Sequence, residues 1–328
     1  VYSLDYSLFY FRFIIFTHFI IYLLINIPKL TNLLIKGILI SFFVMIIYST
    51  IELILYTQMG HIDGLMRRLH LLFSDEAVVG SFMVRMLPIL CFFIVLNKDN
   101  IKSIYLKFFL TTIIILSFIF IIFSGERTAL LLLIILSFLY LLILIKFYKK
   151  LFFIFFISLI TIFFSIIFFS QNIIDRTLQD LDRNISLNPE INPYLNYSLV
   201  SLEMFKESPI IGKGPKMFRI FCPDERYNDY VSMCNIHPHS IYAQLLGEMG
   251  FIGFLFVFAG FVYAILIYFK NLISKNPNKL YLFASVGFII NFFPLVPSGN
   301  FFNNWINNLY YLSIIVIIYS MNKPKKIL

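Results

Sequence analysis

Long apolar runs separated by short polar stretches dominate the chain, and they predict its fold. Many runs approach the roughly 20 residues that a helix needs to cross the hydrocarbon core of a bilayer. They show no two-residue alternation, which favours helices over the strands of a membrane barrel. The nine predicted spans are 8–27, 37–56, 77–96, 104–123, 128–146, 151–170, 250–269, 280–297 and 305–320.

The pattern divides the chain into three parts. Residues 1–170 carry helices one to six, 171–249 form one large loop outside the cytoplasm, and 250–328 carry helices seven to nine. With 60% hydrophobic and 13% charged residues, no soluble domain of this length would hide its apolar surface. The predicted class is an all-α polytopic membrane protein. Because the first span begins almost at Val1, we expect one or more helices to precede this sequence.

The distribution of charge predicts which side of the membrane each connection faces. Fourteen of the seventeen lysines lie in alternate connections and in the C-terminal tail, which the positive-inside rule assigns to the cytoplasm. The arginines gather on the opposite side, and the planar guanidinium suits bidentate binding of phosphate or carboxylate. The net charge of +9 is thus mainly a topology signal, and no nucleic-acid partner is expected.

Polar outer segments hold the candidate chemistry. The large loop contains a predicted helix at 194–207 and the turn-rich SPIIGKGPKMFR at 208–219. The segment 57–76 is amphipathic, and we expect it to lie along the membrane surface. The short outer connections are 124–127 and 298–304.

Two cysteines lie within the large loop. Outside the cytoplasm, Cys222 and Cys234 are expected to form a disulfide that closes a short loop and adds about 2–3 kcal/mol of stability. The alternative is a zinc site in which both sulfurs join His237 and His239. That spacing matches no common zinc pattern, so no metal is expected.

The stretch CNIHPHSIYAQLLGEMGFIG, residues 234–253, places two histidines just before an apolar run. Proline favours the first helical position, so we expect a helix to begin at Pro238 with His239 in its first turn. The positive end of the helix dipole would favour a neutral imidazole, and a neutral imidazole is able to act as a general base. The simpler alternative is that His237 and His239 only occupy a polar helix start.

Helical spacing then sorts the residues that follow His239. Tyr242 would lie on the same face as this histidine. Glu248 is nine residues further on and would point away from it. We expect Gln244 and Glu248 to share another face and to brace the helix against the bundle.

Three outer arginines are candidates for ligand binding. Arg127 stands at the outer start of the fifth span, where a charge is costly unless it is solvated or paired. An ion pair with Glu126 or Glu76 is the alternative. Arg85 lies eight residues into a span and should face the interior or a cavity, with Glu76 or a ligand as its partner. Arg219 belongs to the turn-rich segment.

Two lysines lie close to Arg219 in the sequence GKGPKMFR. Lys213, Lys216 and Arg219 flank its glycines and would form a flexible, cationic contact for phosphate. A solvated turn is the alternative explanation for the lysines.

These motifs together resemble the O-antigen ligase and polymerase superfamily, most of all its polymerase branch. CNIHPHSIYAQLLGEMGFIG is similar to the family's signature of His, Asn or Ser, Tyr, Gln, Glu and two glycines. SGERTALLLLIILSFL resembles its span start, and SPIIGKGPKMFR its Gly-x-Gly loop. Ser240 stands where Asn is common, which is tolerable because both residues cap helices.

The resemblance implies a GT-C-like, metal-independent and cofactor-free glycosyltransferase in the bacterial cytoplasmic (inner) membrane, with its active site on the periplasmic side. It would polymerise polyprenyl-diphosphate-linked repeat units into O-antigen or capsular polysaccharide, with inversion. His239 and Arg127 would be catalytic. The implied contacts with diphosphate or sugar are Arg85, Arg219, Tyr242, His237, Glu76 and Lys216. The implied structural residues are Cys222, Cys234, Gln244 and Glu248.

The implied partners are a polyprenyl-diphosphate-linked glycan donor and acceptor, membrane lipid, a chain-length regulator and a flippase. A ligase that transfers glycan to lipid A–core or protein is the first alternative. A transporter or flippase of lipid-linked sugars is the second, but it would be expected to place ionisable groups near the bilayer midplane. A purely structural membrane protein would leave the outer arginines and both histidines unexplained.

Overall fold

A computed structural model describes most of the chain as helices. The described residues are 2–27, 29–58, 69, 73, 76–99, 101–150, 152–153, 155–157, 159–160 and 186–322. Within these ranges no strand occurs, which confirms the all-α class. The labelled helices are α1 (Tyr2–Asn26), α2 (Lys29–Gln58), α3 (Val79–Leu96), α4 (Ile104–Phe123), α5 (Arg127–Phe147), α6 (Pro193–Glu207), α7 (Phe218–Phe221), α8 (Ile241–Ile273), α9 (Lys279–Asn291) and α10 (Asn304–Asn322).

Several helices are long and apolar enough to cross a membrane. Among the described residues there are five: α2, α3, α4, α5 and α8. Shorter apolar stretches occupy Tyr10–Asn26 in α1 and Lys279–Asn291 in α9. The chain is therefore a multi-pass helical membrane protein, as predicted, while the number of nine spans remains a prediction. Most of the predicted span 151–170 and of the amphipathic segment 57–76 lies outside the described residues.

Two predicted span boundaries need correction. The span predicted at 280–297 ends as a helix at Asn291. Pro294 and Pro297 follow, and proline neither donates the backbone bond of a helix nor allows helical backbone at the residue before it. In addition, α8 begins at Ile241, well before the predicted span at 250, because the polar helix start and the apolar run form one kinked helix.

The described residues belong to two compact units, each considered by itself. The first comprises Val1–Phe19, Arg176–Leu266 and Phe292–Leu312, and the second comprises Ile20–Asp175, Ile267–Asn291 and Ser313–Leu328. The division into 1–170, 171–249 and 250–328 stays a prediction.

The second unit is built around α3. This helix is buried along most of its length and contacts α2, α4, α5 and α9. The Glu126 carboxylate caps it by accepting hydrogen bonds from the backbone N–H groups of Gly80 at 2.5 Å and Ser81 at 3.1 Å. Helix starts leave such N–H groups without partners inside the helix.

The first unit contains α6, α7 and the loop around them. The predicted helix at 194–207 is confirmed as α6, whose cap Asn192 accepts from the N–H groups of Tyr194 and Leu195. The buried core of this region consists of Tyr197, Val200, Met204, Phe218, Cys222 and Tyr227. A disulfide joins Cys222 to Cys234, as the sequence predicted.

Candidate active site

The candidate site lies beside a kink in α8. Gly250 adopts φ +66° and ψ −166°, which interrupts the helical hydrogen bonds around it. The freed carbonyl oxygens of Gly247 and Glu248 accept from the N–H groups of Lys213 at 3.0 Å and Gly214 at 2.8 Å. The backbone of the turn-rich loop is thereby fastened to the kinked helix.

Two glycines allow this close approach. Gly212 has φ +71°, and its backbone lies against that of Glu248 and Gly250. A Cβ added to Gly250 would lie 2.5 Å from the carbonyl carbon of Ile210. Both positions also require a left-handed backbone, which glycine adopts without steric cost. Gly212 of GKG and Gly250 of GEMG thus allow one close backbone contact between the turn-rich loop and α8.

Glu248 and Gln244 extend this contact through their side chains. The Glu248 carboxylate accepts from the N–H groups of Phe218 at 2.7 Å and Lys216 at 3.0 Å. The Gln244 amide donates to both Glu248 and the Asn300 side chain at 2.9 Å.

Gln244 also accepts at 2.8 Å from the backbone N–H of Phe301. Gln244 and Glu248 were predicted to brace the helix against the bundle, but they bind loops instead. The pair joins two loops to α8, because the buried carboxylate and amide need polar partners that loop backbone supplies.

His239 lies before the helix and not in its first turn, which corrects the prediction from Pro238. Its backbone is left-handed, with φ +54°, and α8 begins at Ile241. Ser240 caps the helix instead, since its hydroxyl accepts from the N–H of Ala243 at 3.3 Å. The His239 carbonyl accepts from the N–H of Ser298 at 2.8 Å.

The side-chain environment of His239 is aromatic and polar. Its ring centroid lies 5.9 Å from those of Tyr194 and Tyr197 on α6. The Asn235 amide nitrogen lies 3.0 Å from Nε2 of His239, while the Asn235 carbonyl oxygen accepts from the N–H of Ile236 at 2.7 Å. An amide nitrogen only donates, so Nε2 is the acceptor and the proton of the neutral ring is on Nδ1.

His237 is the second imidazole of the site. Its ring centroid lies 4.1 Å from that of His239, and the residue is 91% buried, with 9% of its surface exposed. Neither ring nitrogen has a hydrogen-bond partner of good geometry among the described residues, although the Ser298 backbone is close enough to favour protonation. Burial above all, followed by the nearby charges of His239 and Arg219, lowers the pKa of His237 to about 3.

Arg219 lies near enough to influence this imidazole. Its Nε atom is buried and has no hydrogen-bond partner among the described residues. Buried polar atoms are normally paired, and unpaired ones call for an explanation such as a ligand. The unpaired atoms of His237 and Arg219, together with the imidazole of His239, form the candidate active site.

Other predicted contacts have different surroundings. Tyr242 is buried among phenylalanines and donates its hydroxyl to the carbonyl of Phe292 at 2.8 Å, so it packs rather than faces the site. Lys213 forms an ion pair with Glu207, and its side chain is only 17% exposed, so its contact with phosphate stays a prediction. The backbone of Lys216 belongs to the Glu248 network.

Arg85 and Arg127 belong to the second unit. Arg85 is 1% exposed, which confirms that it faces the interior, and it donates to the Ser81 carbonyl at 3.3 Å. Arg127 is the first residue of α5, and the adjacent Glu126 caps α3. Glu76 is exposed. The substrate roles of these residues stay predictions.

The disulfide bears on the zinc alternative. Joined sulfurs are not thiolates, so Cys222 and Cys234 no longer offer the two sulfur ligands that the alternative required. Within the described parts of the chain, no group of three or more potential metal-binding side chains occurs.

Fold and site together define a multi-pass helical membrane protein with a histidine–arginine site beside a kinked helix. The family model for O-antigen ligase matches residues 112–258, a segment that includes Arg127, Arg219, His237 and His239. Over this segment the chain is similar to the O-antigen ligase family, in agreement with the resemblance that the motifs indicated. No curated protein matches the sequence significantly.

Sequence reasoning missed three side chains of the site. Asn235 is part of the CNIHPHS stretch, but nothing in its spacing indicated a contact with the second histidine. Tyr194 and Tyr197 open α6 and reach His239 only through folding of the loop. Their spacing of three residues, which places them on one helix face, was the available signal.

Proposed function

We propose that this protein is a membrane glycosyltransferase that polymerises polyprenyl-diphosphate-linked oligosaccharide repeat units. The reaction would take place on the outer face of the bacterial cytoplasmic membrane and yield O-antigen or capsular polysaccharide. The family match supports membrane function of the O-antigen ligase or polymerase type and lipid-linked glycan substrates. The observation that carries the proposal is a group of buried atoms on His237 and Arg219, beside His239, that find no hydrogen-bond partner in the described part of the chain.

In the proposed reaction His239 is the general base. The hydroxyl oxygen of the acceptor sugar attacks the anomeric carbon of the donor and transfers its proton to Nε2 of His239. The bond between the anomeric carbon and the diphosphate oxygen breaks, so polyprenyl diphosphate leaves and the configuration inverts. In the free site Asn235 donates to Nε2, and the acceptor hydroxyl would take the place of that amide.

His237 and Arg219 have complementary parts in this proposal. A pKa of about 3 keeps His237 neutral, so its ring offers one N–H donor and one acceptor nitrogen to sugar hydroxyls. Arg219 presents a fixed positive charge to the diphosphate. Preplaced donors that meet developing charge contribute strongly to catalysis.

Arg127 and Arg85 remain proposed contacts of the diphosphate. Their replacement by alanine should reduce turnover more than Arg226→Ala, since Arg226 is exposed and forms an ion pair with Asp224. The matched arginine control separates loss of a substrate contact from a general loss of positive charge. Equal activity of all three variants would remove Arg127 and Arg85 from the proposal.

The experiment that tests the polymerase is turnover by purified protein in lipid vesicles. A polyprenyl-diphosphate repeat unit is supplied as both donor and acceptor, and product lengths are measured. We expect a ladder of chains that grow by whole repeat units. Absence of any extension, with the protein folded, would contradict the proposal.

A ligase is the second candidate, because the matched family is described as O-antigen ligase. The chemistry at the donor is the same, and the acceptor differs. A single transfer to a lipid A–core acceptor without a ladder would favour this function.

A further inference from the structure

The turn-rich loop carries two large apolar side chains at its surface. Ile210 is 64% exposed and Ile211 is 73% exposed. Single exposed apolar residues are ordinary in proteins. These two are adjacent, and their backbone is bonded to a helix that crosses the membrane, which calls for an explanation.

The hydrogen bonds of this loop fix its level along α8. The N–H of Phe251 donates to the Pro209 carbonyl at 2.8 Å, and that of Ile252 to the Ile210 carbonyl at 3.3 Å. From residue 251 to 269 the sequence of α8 carries no charge, and such a length matches the hydrocarbon core. Phe251 and Ile252 lie near the start of this uncharged stretch, and the backbone of Ile210 is bonded to α8 at the same level.

The apolar surface of α8 continues from the helix onto this loop. On the C-terminal side of the kink, Ile252 is 59% exposed and Phe256 is 84% exposed, as expected of side chains that face lipid. Ile210 lies beside Ile252 through the backbone bond between them. The neighbouring Ile211 extends the same surface by one residue.

We propose that Ile210 and Ile211 insert into the bilayer at the edge of the leaflet nearest this loop. The partner of this surface is membrane lipid. The insertion anchors the loop that leads to α7 and keeps its polar residues close to the membrane surface. The proposal goes beyond glycosyl transfer and does not depend on it.

Spin labelling tests the anchor directly. In a Cys91→Ala background with the Cys222–Cys234 disulfide intact, single cysteines replace Ile210 or Ile211 and carry a nitroxide. The protein is placed in vesicles of phosphatidylcholine and phosphatidylglycerol. Collision rates with oxygen, which concentrates in lipid, and with a nickel chelate, which stays in water, are then measured.

Two further labels provide the references. Phe256→Cys reports a side chain on the apolar part of α8, and Glu203→Cys reports a charged position on α6 whose side chain is 44% exposed. We expect the oxygen-to-nickel ratio at 210 and 211 to approach that at 256 and to exceed that at 203. A ratio like that at 203 would overturn the proposal, as would low collision rates with both reagents, which would indicate a protein partner.

Discussion

The imidazoles of His237 and His239 lie side by side but differ in their hydrogen bonds. His239 contacts Asn235 and two tyrosine rings, whereas His237 is buried and its ring nitrogens have no hydrogen-bond partner among the described residues. This difference supports the proposal that His239 accepts the proton and that His237 stays neutral and forms hydrogen bonds. Each assignment leads to a separate prediction about pH.

Replacement of Asn235 by aspartate should alter the pH dependence of turnover. A carboxylate next to Nε2 stabilises the protonated imidazole, which cannot act as a base. We expect the acidic limb of the rate profile to move to higher pH, while Asn235→Ala changes the rate without that displacement. Identical profiles for wild type and Asn235→Asp would show that this amide does not position His239.

The depressed pKa of His237 should make the folded state sensitive to acid. Because its pKa is about 3 in the folded protein and 6.5 ordinarily, the unfolded chain takes up the proton first as pH falls. Stability is then fully present above about pH 6.5 and declines toward pH 3, by at most about 1.4 kcal/mol per pH unit. Thermal unfolding of His237→Gln at several pH values should show a shallower decline.

His18 supplies the control for this measurement. It is exposed on α1, so His18→Gln should leave the decline unchanged. An equal slope in wild type and His237→Gln would contradict the burial of a neutral imidazole.

At the scale of elements, the kink at Gly250 joins α8 to the turn-rich loop. An alanine at this position would adopt a backbone reserved for glycine and press on Ile210, at a cost of about 1–3 kcal/mol. We expect Gly250→Ala to lower the unfolding temperature and to raise hydrogen exchange at Lys213 and Gly214. Gly37→Ala is the matched control, because a Cβ there meets no atom of the described residues within 4 Å. Equal effects of both substitutions would be evidence against the kink as a joint.

Some helix boundaries could be predicted from the sequence, and others could not. Apolar periodicity predicted α3 to α5 within a few residues, since lipid imposes helix length and backbone pairing. It did not predict that His239 precedes α8, because a left-handed residue followed by a serine cap leaves no periodic signal. Pro238 favoured a helix start, but the His239 carbonyl instead accepts a hydrogen bond from the distant N–H of Ser298.

For the whole molecule, the charge pattern and the motifs predicted a multi-pass membrane protein of the O-antigen ligase and polymerase superfamily. The residues that form the site were harder to predict from the sequence. Tyr194, Asn235 and His239 meet through the folding of a long polar loop, and single-sequence spacing carries no information on such contacts. Arg85 was correctly placed in the interior because an uncompensated charge facing lipid is too costly.

The role proposed for His239 is to remove the proton from the acceptor in glycosyl transfer. Its most direct test is the initial rate of polyprenyl diphosphate release in vesicles for wild type, His239→Ala and the control His18→Ala. Loss of a general base predicts a fall of about 10²–10⁴-fold for His239→Ala, with His18→Ala close to wild type. A folded His239→Ala protein that releases polyprenyl diphosphate at the wild-type rate would contradict the claim.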